Sequence, residues 1–177
     1  EFKNLSYYGR GPWENYSDRK EASFIGIYQD KVENQFYTGY IRPQESGYKT
    51  DVRWLMLTND KGSGLRIKGA QPICFSATNH SVESLDPGLT KKQQHPTDLP
   101  PEKDVFLHID LAQRGLGGDN SWGALPHEQY RLLAKKYTYS YTLSLVAKES
   151  LTSIRITGKI IMTPTKKMRP ALSRSLP

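Results

Sequence analysis

From Tyr137 to Val146 the chain reads YTYSYTLSLV, an alternation without a break. Tyr137, Tyr139, Tyr141, Leu143 and Leu145 share one side; Thr138, Ser140, Thr142 and Ser144 share the other. A period of two is that of an antiparallel strand with one face on a core and one on water. VFLHIDLA has the same period, with Val105, Leu107, Ile109 and Leu111 on one face. DVRWLMLTNDKGSGLRIKG predicts a hairpin: Val52, Trp54 and Met56 alternate with Arg53 and Leu55, Asn59-Asp60-Lys61-Gly62 turns, and Leu65 and Ile67 resume the alternation. Shorter apolar runs predict strands at Phe24 to Tyr28, Phe36 to Arg42 and Ile73 to Ala77, and LTSIRITGKIIM predicts one more. The opening EFKNLSYYGRGPWENYSDRK is expected to be turn-rich, because Gly9-Arg10-Gly11-Pro12 interrupts a regular element. Ser81 is placed to cap a short helix that stops at Asp86-Pro87-Gly88, and the polar, proline-bearing segment Lys91 to Lys103 reads as a long loop. The pattern predicts an all-β, antiparallel domain of about seven to nine strands, at spacings that suit a β-sandwich.

Composition fits one such domain: 177 residues are enough for a real core, and the 11 tyrosines fill space while keeping a polar tip. The net charge of +7 is uneven. From Lys148 onward there are seven basic residues against Glu149 alone, whereas residues 1–147 hold 18 basic and 17 acidic residues. The body therefore gives no electrostatic reason to expect a nucleic-acid partner. The end, KKMRPALSRSLP, reads as a disordered basic tail. No apolar run approaches the roughly 20 residues needed to cross a bilayer, so no membrane partner is expected. The chain opens Glu1-Phe2-Lys3, with neither a leader pattern nor an initiator Met, and reads as a piece of something longer. A single cysteine, Cys74 in QPICFSA, excludes an internal disulfide and is expected to be a buried, inert thiol.

Candidate chemistry narrows quickly. His80, His95, His108 and His127 are scattered without metal-ligand spacing, and His108 falls on the polar side of its strand. There is no G-x-S-x-G elbow. A glycosidase needs two facing carboxylates; Glu14 and Asp18 lie in one loop and Asp119 in another, where capping and turn bonding are the simpler roles. GLGGDNSWG, Gly115 to Gly123, contains a G-x-G-G run. A dinucleotide loop must open a helix, yet Pro126 follows closely and Asp119 would repel a phosphate. Sugar binding passes the same test. A pyranose offers an apolar C–H face and a rim of hydroxyls; Trp122 supplies a flat ring, and Asp119, Asn120 and Ser121 supply polar atoms. On spacing alone Trp122 is either folded back into its own loop or held out for a ligand.

Three motifs then stand in order: GRGPWENYSDR (Gly9 to Arg19), RPQESGYKTDVRW (Arg42 to Trp54) and GLGGDNSWG. Together they resemble the C-terminal, small-chain domain of bacterial β-galactosidases of glycoside hydrolase family 2, and YTYSYTLSLV resembles its closing strand. The resemblance covers residues 3 to 147. It implies the later part of a large antiparallel sandwich similar in fold to galactose mutarotase, with residues 148–177 as an extra strand or tail that has no counterpart. It implies a longer retaining enzyme whose catalytic glutamates, with Mg and Na, lie in a (β/α)8 barrel; no glutamate here matches them, and no cofactor is expected in this chain. The expected partners are a galactoside sugar and the barrel and other domains of a homo-oligomeric parent. Trp122 matches the family's sugar-stacking tryptophan, with Asn120 and Asp119 beside it, so the resemblance turns its ring outward. Trp13 stands where some relatives carry a smaller polar residue. Glu14, Asn15, Tyr16, Asp18 and Arg19 are expected to be structural, through carboxylate–arginine pairing that locks the turn. Two other readings remain: a free-standing carbohydrate-binding module, or an aldose epimerase, which would need a His and a Glu facing one pocket.

Overall fold

The computed structural model describes residues 2–86, 88–89, 94–120, 122–134 and 136–147, and the backbone of 156–162. Seven strands form one antiparallel sheet: β1 (Asn4–Gly11), β2 (Phe24–Lys31), β3 (Lys49–Thr58), β4 (Gly64–Thr78), β5 (Phe106–Asp110), β6 (Tyr137–Val146) and β7 (Ile156–Met162). The order is β2-β1-β3-β4-β6-β7, and β5 also pairs with β4. The chain is all-β, as its alternation predicts, and consistent with a β-sandwich. The long strand β4 serves two neighbours: residues 64–69 pair with β6 and residues 74–78 with β5. Two elements read separately in the sequence, around Ile67 and around Ile73 to Ala77, are thus one strand.

One face of the sheet carries the core. Leu5 and Tyr7 of β1 meet Leu55 and Leu57 of β3, Ile67, Ile73 and Phe75 of β4, and Tyr139 of β6. Tyr7 meets the Phe75 ring edge-on at 5.3 Å. Val105, Leu107, Ile109 and Leu111 pack against this cluster as a single face, and so do Tyr141 and Leu143; Leu145, near the end of β6, is exposed. On the opposite face Tyr8 and Trp54 are register partners, with Arg53 over the Tyr8 ring and Arg66 over Trp54.

Three expectations are corrected. First, the opening segment is a central strand: β1 runs through Gly9-Arg10-Gly11 and pairs on both sides. The glycine at position 9 is there for closeness, since a Cβ on it would lie 2.6 Å from Val52 Cγ2. Second, the buried side of β3 is Val52, Leu55 and Leu57, and Trp54 and Met56 face the other way. Register shifts on both sides of Val52 insert the extra residue that reverses the alternation. Third, Phe36 to Arg42 is not a strand. Its aromatic side chains are claimed locally, Phe36 stacked on His80 at 4.0 Å and Tyr37 edge-on to Tyr40 at 4.9 Å. The short helix α1 (Val82–Leu85) is capped as expected, with Ser81 Oγ accepting from the Ser84 amide at 3.1 Å. Pro87, Lys91 to Gln93, Ser121 and the basic tail of residues 163–177 lie outside the described residues. Among the described residues no helix is long and apolar enough to cross a membrane.

Candidate functional site

The three motifs meet in space. Asn15, fully buried, is the first joint. Its amide nitrogen donates to the carbonyls of Arg10 (3.2 Å) and Trp13 (3.0 Å), and its oxygen accepts from the Thr50 amide (3.0 Å) and hydroxyl (2.6 Å). Burying a primary amide is costly unless its donors and acceptor are used, and here they are. Glu14 is the second joint: it accepts from Gly47 N at 2.8 Å, from Tyr16 Oη at 3.2 Å and from Tyr40 Oη. Both joints tie the first motif to the second.

Asp51 is the third joint. It sits in the bulge of β3 with φ +53°, a left-handed conformation that Asp tolerates better than most side chains. Arg10 Nε reaches its carboxylate at 2.6 Å and Lys20 Nζ at 3.1 Å. Burial acts to raise its pKa, but these two cations and their hydrogen bonds prevail and hold it below its ordinary value. The carboxylate–arginine pair that locks this region is therefore Arg10 with Asp51, rather than a pair within the first motif.

Asp18 and Arg19 do something the sequence did not announce: they hold the third motif. Asp18 accepts from Leu116 N at 3.0 Å and from Gly117 N at 2.8 Å, and Arg19 Nη2 donates to Gly117 O at 3.0 Å. The amide bonds outweigh the effect of burial and keep the Asp18 carboxyl below its ordinary range. Gly118 is favoured as glycine by its φ of +94°, and a Cβ there would also displace the Arg19 guanidinium, 2.9 Å away. The signal that could have revealed this clasp is the run of glycine amides itself, since a turn with free N–H groups suits a carboxylate.

What the clasp presents is Trp122, 93% exposed. Asn120 Oδ1 accepts from the Trp122 amide at 2.9 Å, a local turn bond of the kind Asn favours. The Asp119 carboxylate lies 3.1 Å from His127 Nε2, both side chains more than half exposed. The three predicted site residues thus share one loop, and all three are exposed on it. Trp13, in the first motif, is also exposed. Cys74 is buried, and burial raises its thiol pKa, as suits an unreactive sulfur. Among the described residues no three His, Cys, Asp or Glu side chains gather as a metal would require. Three of the four histidines have polar partners: His80 meets Leu99 O, His95 meets Ile41 O and His127 meets Asp119.

This geometry, with its three joined motifs, agrees with a comparison to known families, in which residues 1–143 match the model for the β-galactosidase small chain. The chain belongs to that family. The β-galactosidase of Priestia megaterium is 41% identical over 143 residues, which is 80% of this chain and 13% of the relative. Beta-galactosidase BgaC of Bifidobacterium adolescentis is 39% identical over 137 residues, 76% of this chain and 12% of the relative. The β-galactosidase of Streptococcus thermophilus is 33% identical over 147 residues, 82% of this chain and 14% of the relative. This β-galactosidase small-chain domain thus spans a small fraction of the length of the curated relatives it matches. Its match ends near β6, and β7 adds a further strand in register with β6.

Proposed function

We propose that this domain supplies a sugar-stacking wall to a β-galactosidase, with Trp122 as the wall and the hydrolytic carboxylates elsewhere in a longer protein. The observation that carries this reading is a large indole held 93% exposed by a loop that is clasped by a carboxylate and a guanidinium. An exposed tryptophan forfeits its burial energy, and a pinned loop removes the adaptability that would excuse it. The apolar face of a galactoside fits such a ring, and Asn120 and Asp119 flank it for the hydroxyl rim. The isolated chain performs no hydrolysis in this reading: Glu14, Asp18 and Asp51 are each spent on holding loops together. Magnesium, sodium and the catalytic glutamates belong to the barrel against which the domain packs in its oligomeric parent.

Trp122→Ala in the full-length enzyme tests this. Stacking of this kind contributes about 1 kcal/mol, so KM for a galactoside, or the preference among acceptor sugars, changes by roughly fivefold. Steady-state kinetics with unchanged KM and unchanged acceptor preference would overturn it.

A further inference from the structure

The side of the sheet turned away from the core carries a pattern that neither the sugar wall nor the joined motifs use. In one register row Ile27 of β2, Tyr8 of β1, Trp54 of β3 and Lys68 of β4 stand side by side; Ser6, Met56 and Arg66 form the next. The apolar end lies at the β2 edge, where Ile27 is 66% exposed and Ile25, on the same face, is exposed too. The cationic end lies in the interior of the sheet, since residues 64–69 of β4 are paired on both sides. Arg66 and Lys68 are exposed there, and among the described residues neither meets a carboxylate. Asp51, in the bulge of β3, is already taken by Arg10 and Lys20. The guanidiniums are held on rings instead, Arg53 at 5.3 Å from the centre of Tyr8 and Arg66 at 5.7 Å from that of Trp54. A guanidinium laid on an aromatic face keeps N–H groups at its edge for a carboxylate.

This chemistry sorts the occupants. A ring face taken by a guanidinium is closed to a stacked sugar. The isoleucines gain nothing from a bare polyanion such as a nucleic acid. A second copy presenting the same face would set cation against cation. A polypeptide surface with carboxylates opposite Arg66 and Lys68 and apolar side chains opposite Ile25 and Ile27 suits the whole pattern. The chain covers only 12% to 14% of the relatives compared above, so most of a protein of that kind lies outside it, tethered to it at high effective concentration. We infer that this face docks an acidic, partly apolar surface of another domain in the same longer polypeptide, with Arg66 and Lys68 bonding its carboxylates and Ile25 and Ile27 covered by its apolar side chains. The inference rests on the reading of the chain as part of a longer enzyme, and not on Trp122 as a sugar wall.

The test is amine acylation of the full-length protein, read at Lys68 by mass spectrometry with no sugar present. Lys68 is expected to react about tenfold or more slowly than a free lysine side chain, as a site that opens only transiently does, and at a rate independent of protein concentration. Arg66→Ala removes one cation and Ile27→Glu sets a carboxylate against the acidic partner; each raises that rate about fivefold or more. Both positions are exposed, so neither change disturbs the core. Trp122→Ala, which tests the sugar wall, leaves the rate unchanged, so the two readings fail separately. Three results would each overturn the inference: Lys68 reacting as fast as the free side chain, protection that disappears on dilution because the occupant is a separate molecule, or protection that both variants leave intact.

Discussion

Asp18 fixes the start of the loop that carries Trp122. Its two amide bonds and the Arg19 bond to Gly117 are the side-chain fixings that join the first motif to the loop. Hydrogen bonds to a charged group are worth about 1.5–3 kcal/mol each when well made, less where water competes. Asp18→Ala is therefore expected to speed hydrogen exchange at the Leu116 and Gly117 amides by about tenfold or more, with β4 exchange unchanged. Equal protection in the variant would show that the loop holds itself. Trp122 could be picked out from its sequence neighbours because an aromatic ring among small polar residues is a local pattern. Asp18 could not, since its partners lie 98 and 99 positions away.

At the scale of elements, legibility followed regularity. β5 and β6 were readable because alternation and core face coincide along them. β1 was hidden by glycines that serve close packing, and the faces of β3 were reversed by a bulge no hydropathy pattern records. That bulge lies beside Lys49, the first residue of β3, which is buried and bonded through Nζ to Gln35 Oε1 (3.1 Å) and Gly47 O (3.0 Å). Burial pulls the ammonium pKa down to about 8, against the attraction of Glu14 and Asp30. The folded state thus releases this proton before the unfolded chain does. Below pH 8 both states are protonated and the burial penalty is fully present; between about 8 and the ordinary value of 10.5 only the unfolded state keeps the proton, so stability rises with pH. The buried tyrosines Tyr7, Tyr16 and Tyr48 act oppositely: burial raises their pKa values, and the stability they contribute is lost above the ordinary value of 10.0. Urea denaturation of wild type against Lys49→Met at about pH 7.5, below the window, and about pH 9.5, inside it, isolates the lysine. The wild type gains on the order of 2 kcal/mol relative to the variant over that interval. Parallel pH profiles would show the amine to be hydrated.

The whole molecule carries an unfinished edge. Among the described residues β2 pairs only with β1, and Ile25 and Ile27 are exposed along it. An exposed, apolar edge strand templates further pairing. The isolated chain is expected to self-associate as its concentration rises, and Ile27→Lys should shift the population toward monomer in light scattering after gel filtration. Identical masses for both would place association elsewhere.

The clasp also has a consequence in time. A contact between residue 18 and residues 116 and 117 closes a loop of almost a hundred residues, and such closures are slow because their entropy must be surrendered before any bond compensates. During synthesis Asp18 waits for amides that emerge almost a hundred residues later. Trp122 therefore reaches its outward station late, after the strands between the two motifs exist to bring them together. Any fault that slows those strands delays the clasped loop with them.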